Sequence, residues 1–583
     1  MKRIVALSFF FIFLVSLFFP RCAVIVAPTG GPKDTLAPVM LKSVPTLNAT
    51  GFKKDKIVLT FDEYVKLDKL SQKLVLSPPQ ERLPETRIKG KSLEIKFFEP
   101  LADSTTYTLY FADAIQDNNE GNPIDNFEFA FSTGPYIDSL RYTGRVIDAF
   151  TLEPQEGVFV MFYSENIDSV PIIQRPRYIT KTNKSGVFYL SNLKLRDYKI
   201  FALRDANSNY LFDQVSEDIA FSKEVVERGK LTNPADRPVP ADSLQILRLF
   251  KEKSKVQALI DYSRPQRRRV KLGFTQKPIG KVDIKPIGYD VDSTELWFLR
   301  GTNIIGDSLD FWITQSNMSA NDSLLAEVTY LKTDSLLNLV QQTDTLRLFY
   351  TDVTKKPTEK RGKKDSDKEE MKKVPSQPVK TSFRAGDNVL PNQPLVLQFS
   401  MPQLSIDTSL IMLTNTTDSI TVPLPLLKKD SLDPRVYTLN YSWKNVVNYR
   451  FDALPGAFIN LDSIANDTLS VNFRGANPES FGIINLNIGG VSHNVVIHLL
   501  DGKDNVIDKK VVEADGKVIF DYIKPATYKL RFIVDENQNG EWDTGQYLEG
   551  KQPERVYFYE DELEKREIQV RANWEYDLIY KLK

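Results

Sequence analysis

Two short stretches of this 583-residue chain carry oxygen side chains at a spacing that suits a cation. One is Asp205, Asn207, Asn209 and Asp213; the other is Asp535, Asn537, Asn539 and Asp543. Oxygens at alternate positions, with another four residues on, match positions 1, 3, 5 and 9 of a calcium loop, and Gly540 sits where such a loop turns sharply. The twelfth position departs from the pattern: Ser216 and Gln546 stand where a bidentate glutamate belongs, which leaves Glu217 or Glu549 to supply oxygen from another geometry. Affinity in the weak extracellular class, ~10⁻⁴ to 10⁻³ M, is then expected. The same residues have a plainer chemistry, which the pattern favours. Asp and Asn accept hydrogen bonds from backbone two residues on and tolerate left-handed backbone, so both loops read first as structural Asx turns and second as weak calcium sites.

Other chemistry is sparse, and no other cofactor is expected. His493 and His498 are the only histidines, and their odd spacing on a strand sends them to opposite faces, so they cannot share a metal there. No His-Glu-x-x-His, Gly-x-Ser-x-Gly or Gly-rich phosphate loop occurs. The chain therefore reads as non-catalytic. A glycan-cleaving carboxylate pair remains an alternative among the 76 acidic residues, with nothing to single one out. The basic run Arg264 to Lys271 reads as a solvated strand edge guarded by charge, or as a contact for phosphates or acidic loops.

The elements that hold these residues repeat. Gly186, Tyr198, Asp205 and Asp213 recur as Gly516, Tyr528, Asp535 and Asp543, each 330 residues later, so one structural unit is used twice. Short alternating runs rich in Val, Ile, Tyr and Phe, punctuated by 33 Pro and 27 Gly, predict an all-β chain of tandem β-sandwich modules. In the first of these, Ile57, Leu59 and Phe61 point one way, as do Leu93, Ile95 and Phe97, and Tyr107, Leu109 and Phe111. Basic and acidic residues balance at 76 each, which argues against nucleic acid as a partner. From Lys355 to Lys380 the sequence is nearly all Lys, Glu, Asp, Pro and Ser, the composition of a disordered linker or long exposed loop.

Lys2-Arg3 followed by the apolar run from Ile4 to Phe19 is a secretory leader, and the sole cysteine, Cys22, lies just beyond it. This resembles the bacterial lipoprotein signal, although Phe19-Pro20-Arg21 replaces the small residue usual before the cysteine. The resemblance implies lipidation at Cys22 and attachment to the outer membrane, on the periplasmic face or the cell surface. Leu36-Ala37-Pro38, Leu59-Thr60-Phe61-Asp62-Glu63, Leu76-Ser77-Pro78 and Phe129 to Thr133 resemble the bacterial Ig-like domain of S-layer and envelope proteins. The duplicated unit resembles the transthyretin-like or carboxypeptidase-regulatory sandwich.

The expected order is a leader (1–21), a tether (22–35), an Ig-like domain (36–135), a transthyretin-like module (136–250) and an unassigned β domain (251–352). A charged linker (353–383), a second Ig-like module (384–482) and a second transthyretin-like module (483–583) follow. The whole resembles Gram-negative envelope lipoproteins. That implies a scaffold or accessory subunit of an outer-membrane β-barrel complex, with a surface adhesin or glycan-binding protein as the alternative.

Overall fold

The computed structural model describes residues 34–214, 216–237, 239–240, 243–289, 297–350 and 375–582. Cys22, the leader, most of the tether and residues 353–374 of the expected linker lie outside the described residues. The fold is all-β, in tandem sandwiches, and the α-helices among the described residues are single turns such as Leu70–Lys73 and Val170–Ile173. No described helix is long and apolar enough to cross a membrane. The chain divides into two compact units, Met1–Val146 with Pro154–Phe212 and Ala220–Leu247, and Ile147–Glu153 with Asp213–Ile219 and Arg248–Lys583.

In the first unit, strands Met40–Val44, Lys56–Phe61, Ser92–Lys96 and Glu85–Lys89 form one antiparallel sheet, in that order. Val75–Ser77, Thr106–Tyr110 and Glu128–Ser132 form the sheet that faces it. Ile57, Leu59, Phe61, Leu93 and Ile95 meet Leu109, Phe129 and Phe131 between the sheets, as alternation requires. The second sheet departs from simple alternation, because Val75 to Ser77 and Thr106 to Leu109 are buried without a break. Its outer face is covered by the next module. Ser77 Oγ accepts the Ile179 N–H at 3.1 Å, and Asn192 Nδ2 donates to Thr108 Oγ1 at 2.7 Å. In that module Phe159–Tyr163, buried at all five positions, lies between Tyr178–Lys181 and Lys199–Arg204.

The second unit holds three sandwiches. Residues 259–349 pack a four-stranded sheet on a three-stranded one around Trp297, Phe311, Val328 and Tyr330. In the next, Trp443 stacks edge-on against Phe473 and Tyr449, at 4.9 and 5.2 Å between ring centres. This module begins earlier than the charge pattern suggests. Val379–Thr381 pairs with Leu395–Phe399, and Phe383 is buried against Trp443, so the end of the expected linker belongs to the fold. The apolar Val379 and Phe383 are joined there by the buried Gln377, which donates to the Ala465 and Phe458 carbonyls and to Gln403.

The repeat occupies matching strands. Leu140–Asp148 pairs antiparallel with Val187–Leu193, as Gly482–Gly489 does with Gly516–Ile523. Phe159–Tyr163 and Asn494–Leu500 each lie between two antiparallel partners. The division between units crosses the first copy, since Phe150 stacks on Trp542 at 4.9 Å and Ile219 pairs with Phe250.

The shared glycine carries different loads. Gly186 has φ 71°, and a Cβ there would lie 2.4 Å from the Val146 carbonyl oxygen, whereas Gly516 has nothing within 4 Å. Gly186→Ala is therefore expected to cost roughly 2–4 kcal/mol, and Gly516→Ala less than about 0.5 kcal/mol, in urea unfolding of the intact chain. Equal losses would mean that the two turns are equivalent.

Candidate functional site

The two Asp/Asn loops follow equivalent strands, Lys199–Arg204 and Ala526–Asp535. In the first, Asp205 Oδ1 accepts the N–H groups of Asn207 at 3.1 Å and Ser208 at 2.6 Å, and Oδ2 accepts that of Tyr210 at 2.8 Å. Asn207 Oδ1 takes the Asn209 N–H, and Asn209 Oδ1 takes that of Leu211. The second loop repeats the bonds of residues 209, 210 and 211, while Asp535 Oδ1 accepts from a different residue. Asp535 accepts from Asn539 at 3.1 Å and Gly540 at 2.7 Å, Asn537 from Asn539, and Asn539 from Glu541. Left-handed backbone recurs at Ser208 and Gln538 (both φ 60°), and again at Tyr210 (φ 63°) and Gly540 (φ 75°). Tyr210 holds a glycine-like conformation while its ring stacks edge-on against Phe159 at 5.2 Å.

Asp543 closes the second loop. Its Oδ2 accepts the side-chain amides of Asn537 at 2.5 Å and Asn539 at 2.6 Å, and Lys253 Nζ donates to Oδ1 at 2.8 Å. Burial opposes ionisation, but these donors and the lysine charge hold its carboxyl below the usual range. A buried glutamate stands behind each loop, Glu217, which the spacing offers as an oxygen donor, and Glu554, which it does not. Glu217 accepts the Asp213 and Gln214 N–H groups at 3.2 Å each, and Glu554 accepts those of Glu536 at 3.0 Å and Asp543 at 2.9 Å. Glu554 titrates above the usual range, chiefly through burial and then through Asp543 and Asp535, against the pull of the two N–H groups. The separation 554 − 217 = 337 departs from 330, so the repeat does not flag the pair. Glu549, the other expected oxygen donor, pairs with Lys255 at 2.5 Å.

The side-chain oxygens of Asp205, Asn207, Asn209, Asp535, Asn537 and Asn539 thus accept from the loops' own backbone, and those of Asp543 from Asn537, Asn539 and Lys253. A cation would have to displace N–H donors from Asp205 and Asp535. Among the described residues no three His, Cys, Asp or Glu side chains are placed to hold a metal ion.

The basic run is not a charged edge. Arg264 is buried and donates to the carbonyls of Arg267, Met318 and Asn321; Arg268 is buried against Asp462 and the Ile313 and Thr314 carbonyls. Arg269 makes a two-point pair with Asp310 at 2.8 and 2.7 Å. These guanidiniums bind loops together instead of facing a partner. His493 precedes strand Asn494–Leu500, and His498 lies within it, with Nδ1 3.0 Å from Arg531 Nη2. Burial first, then the charges of Arg531 and Lys509, push the imidazole down to about 4, so it is neutral and accepts from the arginine. Within the first unit a cleft of about 640 Å³ is lined by Lys73, Asp113, Asp125, Glu156 and Lys181 among others. Lys73 pairs with Asp113 at 2.8 Å, and Lys181 reaches the Gln72 carbonyl at 2.5 Å while lying over the Phe159 ring.

Comparison with known proteins adds one assignment: residues 34–133 match the family model of the bacterial Ig-like domain. No curated protein matches the chain. Among solved structures, the chain is similar to domains 1–6 of the surface layer protein SbsC at 10% identity and TM-score 0.13, covering 88% of this chain and 67% of that one. It is also similar to the Bacillus anthracis TIE protein (10% identity, TM-score 0.14, 95% and 76% covered) and to the BSP domain of a biofilm associated protein (9%, 0.14, 88% and 97%). At scores this low the likenesses carry no argument.

Two outcomes follow from the site geometry. Asp535→Ala is expected to destabilise the protein by about 1–3 kcal/mol without calcium, and millimolar calcium to leave the wild-type melting temperature unchanged. A calcium-dependent rise would mean that the loop reopens around the ion. For His498, the folded value near 4 lies below the unfolded value near 6.5, so its contribution is present above 6.5 and is lost as pH falls toward 4. His498→Gln should remove about 2 kcal/mol of that pH dependence, after discounting for partial exposure; identical pH profiles for the two proteins would refute the assignment.

Proposed function

We propose that the chain is a non-catalytic, lipid-anchored envelope protein that serves as a scaffold or accessory subunit of an outer-membrane β-barrel complex. Residues 136–250 and 483–583 act in it as transthyretin-like modules. Cys22 is the acylated residue, and several acyl chains on it would give stable attachment. The observation that carries the non-catalytic reading is the fate of the chemically capable side chains. Asp205, Asp535, Glu554, Arg264 and Arg268 all hold backbone groups of their own modules. Side chains fixed in that way stiffen a support and are withdrawn from turnover.

The adhesin alternative calls for exposed aromatics gathered on one face. Those of the described residues are spread along the chain, with Tyr64 and Phe98 in the Ig-like domain, Tyr189 in the next module, Tyr262 and Phe349 in the central one and Trp574 near the end. No single module of the described residues carries more than two of them, which supports the scaffold reading.

Labelled palmitate is expected to enter the wild-type protein and not Cys22→Ser. Affinity purification from detergent-solubilised membranes should recover a β-barrel protein in near-stoichiometric amount. Incorporation that ignores Cys22 would sink the anchor, and a protein that comes down alone, or one that hydrolyses an envelope polymer, would sink the scaffold.

A further inference from the structure

Turns at the ends of β-sandwiches ordinarily present polar residues, because there the strands meet water. Two turns of the central module do the reverse. The hairpin joining Phe298–Thr302 to Ser308–Ile313 carries Ile304, 94% exposed, and Ile305, 72% exposed. The hairpin joining Ser323–Thr333 to Leu339–Phe349 carries Leu336, 78% exposed, and Leu337, 60% exposed. The polar atoms of both turns face inward. Asn303 Oδ1 accepts the N–H groups of Gly306 and Ser308, and Asp334 Oδ1 accepts those of Leu336 and Asn338. Each turn is therefore braced with its aliphatic side chains left outside. Leu337 also has φ 62°, a left-handed conformation for which glycine or asparagine is the low-energy choice. A leucine stands there against both backbone preference and solubility.

The two tips belong to one end of the module. A Cβ on Gly306 would lie 3.1 Å from the Lys277 side chain, and one on Gly280 would lie 3.1 Å from Leu331. Gln257 Nε2 donates to the carbonyls of both Ile279 and Leu331, which fixes segment 277–280 between the tips, with Ile279 itself 54% exposed. At the base of the first tip a groove of about 300 Å³ is lined by Lys277, Arg300, Thr302, Ile304 and Leu432. Lys277, Arg300 and Lys332 are exposed and make no ion pair among the described residues. The nearby acids are engaged, Asp307 with the Asn303 amide at 2.7 Å and Asp283 with Lys281 at 3.0 Å.

We propose that this end of the central module is a membrane contact: Ile304, Ile305, Leu336 and Leu337 enter the acyl boundary of an anionic phospholipid surface, and Lys277 and Arg300 hold lipid phosphate at the groove behind them. Separate convex tips backed by free cations suit an interface that is soft, apolar below and negatively charged above. The contact is independent of acylation at Cys22.

Because Cys22 is the sole cysteine, Cys22→Ser combined with Ile304→Cys or Leu336→Cys carries one polarity-sensitive fluorophore on the full chain. On vesicles of equal phosphatidylglycerol and phosphatidylcholine, both labels are expected to shift to the blue and to be quenched by doxyl groups near the top of the acyl chain. A label introduced by Tyr189→Cys should stay in water. Ile305→Asp, read with the label at 336, should lower partitioning about tenfold, and Lys277→Glu with Arg300→Glu should abolish the preference over neutral phosphatidylcholine. Labels at 304 and 336 that remain aqueous on anionic vesicles would overturn the proposal. So would a blue shift that appears only when envelope proteins are added, which assigns the tips to a protein partner, and so would an equal shift at position 189, which marks adsorption of the whole chain.

Discussion

A backbone N–H enclosed in a turn must find an acceptor once water is excluded, and in this chain the acceptor is repeatedly an Asp side chain of the same turn. Asp117 takes four, from Asn119, Glu120, Gly121 and Asn122, at 2.6 to 3.1 Å. Its burial works against the charge, yet the four donors hold the carboxyl at about 2. Asp334, Asp501 and Asp561 each accept two N–H groups in the same manner. None of these turns carries oxygen side chains at all of positions 1, 3, 5 and 9, the Asp117 turn having Gly121 at the fifth. The two loops that do, at Asp205 and Asp535, use the same bonds, so their oxygen pattern is one instance of a device used along the whole chain.

The same need governs how neighbouring modules meet. A sheet with one wet face shows an alternating pattern, and a sheet covered on both faces cannot. Where the Ig-like domain is covered in the first unit, Ser77 and Thr108 point outward as polar groups and are each met by a donor from the covering module. In the second unit the segment around Lys251 is fixed to the 543–551 loop through Thr544 Oγ1 on the Lys251 carbonyl at 2.6 Å, through Lys253 on Asp543, and through Glu252 on the Tyr547 N–H. Gly545 allows the approach, since a Cβ there would meet the Phe250 ring at 2.6 Å. Single exposed ion pairs add little by themselves, but backbone partners supplied across a boundary fix its register.

Alternation made the inward positions of the first sandwich legible: Ile57, Leu59 and Phe61, with Leu93 and Ile95, form its core. The repeat made the paired loops legible because their residues recur at a constant offset of 330. What stayed hidden depends on contacts distant in sequence. Arg264 and Arg268 look like surface charge in a run of cations, and only the return of residues 313–321 and of Asp462 turns them into buried struts. Glu554 has no local signature, since it acts on Glu536 and Asp543 from 18 and 11 positions away. Val379 and Phe383 were hidden among polar neighbours, and the partners of the buried Gln377, at 403, 458 and 465, are distant in sequence.

The divergence of the two copies shows which part of the design is fixed. Gly186 avoids a backbone clash that has no counterpart at Gly516, and Tyr210 adopts the conformation that Gly540 adopts without strain. Side chains at matching positions therefore solve different packing problems. The hydrogen bonds from residues 210 and 540 to the carboxylates five residues before them are nevertheless the same, at 2.8 and 2.7 Å. A ligand site under common use would hold its outward groups constant and let its supports vary. Here the constant is the set of inward, backbone-directed bonds from residues 209, 210 and 211 and from 539, 540 and 541. That is the pattern expected when a turn is retained because it ends a strand.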